Sequence, residues 1–256
     1  MRLINLPGEA ALPVISGLLI GPYTTIPIVT VIPFSLEQIT LIAIFTMIAH
    51  SLIIEGIIQH KSGINAAKIT LIRLASAILT VFIVSQFFGD TTRITIVPAY
   101  LAVATPFVEV LKVWAFDTME LLIKILIIIL AVMIALECLK SLGWMERLLN
   151  FPQPVMKILG LSHQTTLLWV TAVVFGLMYG GAIIVEEAKK GILTKEELER
   201  LHISIGTNHS MIEEPALWLA LGLNGFWLWV PRFITAVAAV QIYGAVNRLK
   251  RILIKR

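Results

Sequence analysis

Six ionisable side chains recur as two sets of three, 159 positions apart, within otherwise apolar sequence. The first set is His50, Glu55 and Arg73; the second is His209, Glu214 and Arg232. Imidazole and carboxylate together bind transition-metal ions or carry protons. A guanidinium beside a carboxylate neutralises it, which is the condition on which apolar surroundings tolerate either charge. The three residues are embedded in longer matching runs. His50-Ser51-Leu52-Ile53-Ile54-Glu55 with Gly63-Ile64-Asn65 corresponds to His209-Ser210-Met211-Ile212-Glu213-Glu214 with Gly222-Leu223-Asn224. From 50 to 73, seven of 24 positions are identical to their counterparts without a gap, and most of the seven are polar or glycine. Upstream, Gly17-Leu18 and Gly21 align with Gly176-Leu177 and Gly180 at the same offset.

Spacing sets depth. Each Glu lies eight residues before a turn glycine and each Arg ten after it, so at about 1.5 Å per helical residue they sit roughly 12 and 15 Å from the turn. Glu55 can therefore pair with Arg73, and Glu214 with Arg232, across adjacent antiparallel helices. Each His lies about 20 Å deep by the same rise, so the two approach the middle of a hydrocarbon core about 30 Å thick from opposite faces. Gly56 and Pro215 follow the glutamates, and a helix break is expected there, as at transporter sites. Glu213 and Asn208 have apolar counterparts, Ile54 and Ala49, and are candidates for ligand contact in an asymmetric site. Ser51 and Ser210 complete the polar set. A plain structural reading stands beside this one: Glu–Arg pairs that only pin a hairpin, and histidines that only bond a neighbouring helix.

Composition sets the class that must position these groups. The chain is 58% hydrophobic and 14% charged, against about 25% charged in soluble domains, and its mean hydropathy is +0.91. The expected fold is all-α and polytopic in a membrane, with about eight helices, some broken or re-entrant. Residues 1–97 form a first three-helix repeat, 98–159 a two-helix insert and 160–256 a second repeat. Predicted segments are Gly8–Gly21, Ser35–His60 (with Ser35 and Gln38 as a capping box) and Ile64–Phe88. They are matched by Thr165–Glu187, Thr194–Leu221 and Asn224–Leu249. The insert should hold Pro98–Trp114, a clear span over Met119–Leu142, and a connector over Leu148–Leu161. The N-terminal stretch reads as a retained helix. Trp218, Trp227 and Trp229 read as an interfacial belt.

Basic residues set the orientation. Arg248, Lys250, Arg251, Lys255 and Arg256 put the C-terminus in the cytoplasm, as Arg2 does the N-terminus. The Lys61 turn then faces in, the Gly222 turn and a 22–34 loop face out, and the repeats are inverted. The expected location is the inner, or plasma, membrane, as a multi-pass protein. No basic stripe interleaved with aromatics suggests nucleic acid. Cys138 is the only cysteine, so no intrachain disulfide or cysteine-built metal site is open to this chain. No G-x-x-x-x-G-K-[ST], H-E-x-x-H or G-x-S-x-G run occurs, and no enzymatic activity is expected.

In the residues His50-Ser51, Glu55, Gly63 and Arg73, and Asn208-His209-Ser210, Glu213-Glu214-Pro215, Gly222 and Arg232, the sequence resembles the Gate, or nucleoside-recognition, family of membrane domains. The resemblance covers both repeats but not the insert. It implies an inverted-repeat transport fold, distantly like the membrane part of ferrous-iron permeases and like concentrative nucleoside transporters. Glu214-Pro215 is similar to the Thr-Glu-Ala-Pro stretch of the latter, without its Ala.

The leading expectation is a small-solute transporter with its site between the repeats, made by His50, Ser51, Glu55, Arg73, Asn208, His209, Ser210, Glu213, Glu214 and Arg232. Within it His50, Glu55, His209, Glu213 and Glu214 are the candidate ligands of a divalent transition metal (Fe, Mn or Zn), carried as substrate. No resident cofactor is implied. The alternatives are transport of a nucleoside-like or small anionic metabolite, and an accessory or scaffold subunit without transport. The expected partners are the lipid bilayer, the solute or metal ion, and further copies of the chain.

Overall fold

The structure is a computed structural model that describes residues 4–89, 106–143 and 153–254. Among these residues it is helical throughout. After a 3-10 turn at Gly8–Ala10 come α1 (Ala11–Leu19), α2 (Pro22–Val31), α3 (Leu36–Ile48), α4 (Leu52–Lys61) and α5 (Ala66–Ser85). Then follow α6 (Phe107–Ser141), α7 (Gln153–Leu159), α8 (Thr166–Phe175), α9 (Leu177–Lys189), α10 (Lys195–Asn208), α11 (Glu213–Leu219) and α12 (Gly225–Ile254). Among the described residues four stretches are long and apolar enough to cross a membrane: Leu36–Lys61, Ala66–Ser85, Phe107–Ala135 and Gly225–Ile254.

Local chemistry fixes the helix starts. Ser35 accepts from the Gln38 backbone N–H while the Gln38 side chain returns to the Ser35 N–H, the reciprocal cap expected from the sequence. Thr194 and Glu197 repeat the device at the head of α10. Asn65 caps α5 by accepting from Lys68 N–H.

Several expectations are corrected. Residues 22–31 are not a loop but helix α2, which begins at Pro22, a proline preset for the first helical turn. Thr165–Glu187 is not one segment; Gly176, at φ 78°, divides it into α8 and α9. These divided pieces are too short to span about 30 Å singly, and each pair, α1 with α2 and α8 with α9, packs as a hairpin. The upstream glycines therefore correspond differently. Gly21 and Gly176 both sit at the break of a hairpin beside a serine, Ser51 and Ser210 respectively, one helical turn away from the alignment that pairs Gly17 with Gly176.

The helix breaks also fall elsewhere. α4 runs unbroken through Gly56, and Pro215 sits in the first turn of α11, where its missing N–H costs nothing. The chain breaks before the glutamates, at Ser51 (φ 50°) and Ser210 (φ 49°), each in the left-handed region. That conformation costs a non-glycine residue on the order of 1–2 kcal/mol. Anchoring offsets the cost: Ser51 N–H donates to Gly17 O at 3.3 Å and Ser210 N–H to Ala172 O at 3.2 Å. Met211 N–H adds a bond to Val173 O, and Ser51 Oγ donates to Ile20 O at 2.6 Å.

In the insert, residues 107–141 form one long helix, α6, which runs through both Trp114 and Met119, and α7 follows; residues 98–105 and 144–152 lie outside the described residues. None of the apolar window of α6 is buried. Its contacts with the rest run through Leu121, Ile125, Ile128 and Ile129. The tryptophan belt is corrected at Trp218, which is fully buried. Trp229, half-buried, donates to Met211 O at 2.8 Å, and Trp227, also half-buried, packs against Phe87 and Phe88.

Two apolar cores result, and the two sequence copies interlace through them. The first is built on α1, α2 and α3 but also takes Leu217, Trp218, Leu223 and Leu228 from the second copy. The second is built on α7 to α10 and takes Ile64 and Ile69 from the first copy. Helices α5 and α12 thus start in the other copy's core and finish in their own: Ala77, Val81 and Val84 in the first, Ala236, Val240 and Tyr243 in the second. This crossing carries both histidines to the seam.

Candidate functional site at the seam

Each histidine stands at the C-terminal end of a helix that breaks on reaching it. His50 Nδ1 lies 3.0 Å from Thr46 O, and His209 Nδ1 lies 2.8 Å from Ile205 O. A carbonyl can only accept, so each Nδ1 carries a proton and donates, which turns each Nε2 toward the seam. The two Nε2 atoms face each other at 2.8 Å, with ring centroids 4.5 Å apart. Two lone pairs do not rest at that distance unless a proton or another cation lies between them.

The carboxylates complete the surround. Glu214 Oε1 is 2.8 Å from His50 Nε2 and 3.7 Å from His209 Nε2. Glu55 Oε1 is 3.8 Å from His209 Nε2 and has no hydrogen-bond partner. His50, His209 and Glu214 form a group of ligand atoms all within 4.8 Å of one another.

Both arginines are fully buried, and each ties its own copy together. Arg73 reaches Glu55 Oε2 at 2.7 Å and donates to Ile48 O and His50 O. Arg232 reaches Glu214 Oε2 at 3.2 Å and donates to Thr207 O and His209 O. The carbonyls it takes are those that the helix break leaves without an intrahelical donor. Gly206 makes room: a Cβ there would stand 2.7 Å from Arg73 Cδ. Arginine suits this task because its planar fork reaches carboxylate and carbonyls at once, which a lysine cannot do. The two arginines and two glutamates cancel in charge.

A cavity of about 230 Å³ adjoins the cluster. Its wall draws on all four breaks: Gly21 and Gly176 from the hairpins, and Ser51 and Ser210 from the broken helices, with His50, Glu55, His209 and Glu214 between. Glu213 also lines it and accepts a hydrogen bond from Tyr23, away from the histidines. Asn208 is buried outside the cavity wall, with Oδ1 unpartnered. Of the ten residues named from sequence, the structure thus gathers His50, Glu55, Arg73, His209, Glu214 and Arg232 into one cluster. Ser51 and Ser210 shape the breaks. Tyr23 was missed, since nothing in a proline-rich apolar stretch marks it; its place at a hairpin break shows only in three dimensions.

The Gate family model, described as nucleoside recognition, matches residues 122–223. The match takes in part of the insert and the second polar set as far as Gly222, and leaves out the first. An uncharacterised membrane protein of Bacillus subtilis (strain 168), YvoD, is 24% identical over 240 residues, 93% of this chain and 77% of the relative. No solved structure matches. The matched stretch holds His209 and Glu214 but neither Arg232 nor the first set, and the chain is a multi-pass membrane protein similar over residues 122–223 to the Gate, or nucleoside-recognition, family.

Proposed function

We propose that the protein is a transporter whose substrate is a divalent transition-metal ion, held near the membrane midplane between two inverted copies of one unit. The observation that carries this reading is the pair of imidazole Nε2 atoms facing each other with Glu214 Oε1 beside them, both rings locked by backbone carbonyls. Metal-binding histidines are oriented by such second bonds. With Zn–N near 2.0–2.1 Å, tetrahedral ligands stand roughly 3.3 Å apart, so parting the rings by about half an ångström admits an ion. Glu55 Oε1 supplies the fourth ligand from 3.8 Å. Glu213, turned toward Tyr23, is not in this set.

Charge favours passage over storage. The arginines already balance the carboxylates, so a bound divalent ion leaves the buried cluster positive. Such a site holds its ion less firmly than one built to keep it. Gly21 and Gly176 leave room for Ser51 and Ser210 at the hairpin breaks, and all four line the cavity. The location supported by composition is the plasma membrane with both termini in the cytoplasm. The seam is complete within one chain.

The test is uptake of Mn(II) by the full chain in proteoliposomes. The double substitution His50→Ala/His209→Ala should lower uptake at least tenfold, to the level of empty vesicles. Uptake equal to wild type would remove the metal reading.

A second reading is supported by the description of the matched family and by Tyr23 and Glu213 on the cavity wall. Here the solute is nucleoside-like or a small anionic metabolite, hydrogen-bonded by those two residues. Unlabelled nucleosides or organic anions that compete with Mn(II) uptake, or are themselves carried, would favour it.

A further inference from the structure

Three carboxylates line the cavity beside the seam, and they differ in what holds them. Glu55 meets Arg73 and Glu214 meets Arg232, and all four side chains are buried. Glu213 meets no cation among the described residues; its partner is the hydroxyl of Tyr23, which donates to Oε1. The two arginines therefore offset two of the three carboxylates and leave the charge of Glu213 over. Exposure places it. On the cavity wall Ile20, Tyr23 and Ile54 are exposed while His50 and His209 are buried. Glu213 is half-buried, intermediate between that outer edge and the imidazoles, and it adjoins Glu214 in the chain.

The tie to Tyr23 joins the two copies. Tyr23 is the second residue of α2, directly behind the break at Gly21, and Glu213 is the first residue of α11, just past the left-handed Ser210. A hairpin of the first copy is thus bonded to a broken helix of the second. The opposite junction lacks the device. The counterpart of Glu213 is Ile54, and two residues past the break at Gly176 stands Met178. Since that side is built from apolar residues, the fold itself calls for neither a phenol nor a carboxylate here. The bond is also of a releasable kind. A neutral hydroxyl donates once and engages one carboxylate oxygen, whereas a guanidinium pair is charge-assisted and roughly twice as strong. A carboxylate without a counter-charge in a cleft speeds the arrival of a cation.

We propose that Glu213 is the entry ligand of the site and Tyr23 its latch: the carboxylate leaves the tyrosine, takes a divalent cation in the outer part of the cavity, and hands it inward to Glu214 and the two imidazoles. The proposal rests on the metal reading above and adds to it the residue that admits the ion without belonging to its final shell. Once the ion has moved inward, the tyrosine bond forms again behind it.

Initial rates of Mn(II) uptake by the full chain in proteoliposomes would be measured over a range of Mn(II) concentrations, and Mn(II) affinity separately by calorimetry. Glu213→Gln should lower kcat/KM by about fivefold or more with Kd within about threefold of wild type, because capture slows while the seam is intact. Tyr23→Phe should raise kcat/KM by about twofold or more, because the carboxylate is released. Opposite signs mark a latch. Losses of uptake in both variants would overturn it and leave the two residues to solute contact or packing. Wild-type rates in both variants, or a Glu213→Gln variant whose affinity falls as far as its rate, would overturn it as well. If Glu213→Gln does not fold, Glu213→Ile, which copies Ile54, takes its place. A wild-type chain that neither binds nor carries Mn(II) would remove the metal reading and the entry ligand together, whereas one that carries Mn(II) at rates both variants share would remove the entry ligand alone.

Discussion

At the residue scale, the site is a set of charges that stand only as a set. Arg73 is 0% exposed and Glu55 2%, so removing either leaves the other buried and unpaired. Such a loss costs about 3–5 kcal/mol, whereas the net worth of the intact pair is small. Arg73→Leu should therefore destabilise the folded chain by about 3 kcal/mol or more, seen as a lower midpoint of thermal unfolding in detergent. The joint change Arg73→Leu/Glu55→Leu should recover a large part of that loss. A single variant as stable as wild type would show that the guanidinium carries no structural charge pairing. The pairing itself was legible in the sequence, because eight and ten residues from a shared turn fix two helical depths. The imidazole contact was legible only as a matched depth; that the rings meet depends on the rotation of two helices, which residue spacing does not set.

At the element scale, the sequence showed apolar segments but not where they break. Apolar residues stand on both sides of His50-Ser51, and no glycine or proline marks the end of α3. Gly56 and Pro215 drew attention as breakers, yet glycine is tolerated inside a helix and proline in its first turn. The left-handed turns fell instead on serines, held by carbonyls of the hairpins. The hairpins were illegible for a related reason: Gly176 lies in an unbroken apolar run, and only its φ of 78° divides it. The proposal that the two units are inverted belongs to this scale as well. His60 and Leu219 are exposed counterparts near the ends of α4 and α11. In a background with Cys138→Ser, His60→Cys should react with an impermeant thiol reagent from the cytoplasmic side only, and Leu219→Cys from the outside only. Reaction of both from one side would contradict inversion.

At the scale of the whole molecule, interlacing is what joins the two copies. Each copy lends the start of its last helix to the other's core, so neither polar set can be complete without the opposite half. Six charged or titratable side chains thereby meet where the ends of α3 and α10, the first turns of α4 and α11, and the middles of α5 and α12 come together, between two apolar cores. The long helix α6 touches the first core along Leu121, Ile125, Ile128 and Ile129 and leaves the rest of its apolar surface exposed. The most direct measurement is X-ray absorption at the zinc edge of the purified chain loaded with one equivalent of Zn(II). The expected result is a shell of two imidazole nitrogens and one or two carboxylate oxygens near 2.0 Å, losing its imidazole scattering in His50→Ala/His209→Ala. A wild-type chain that binds no Zn(II), or binds it in a shell without imidazole, would contradict the reading of the seam as a metal site.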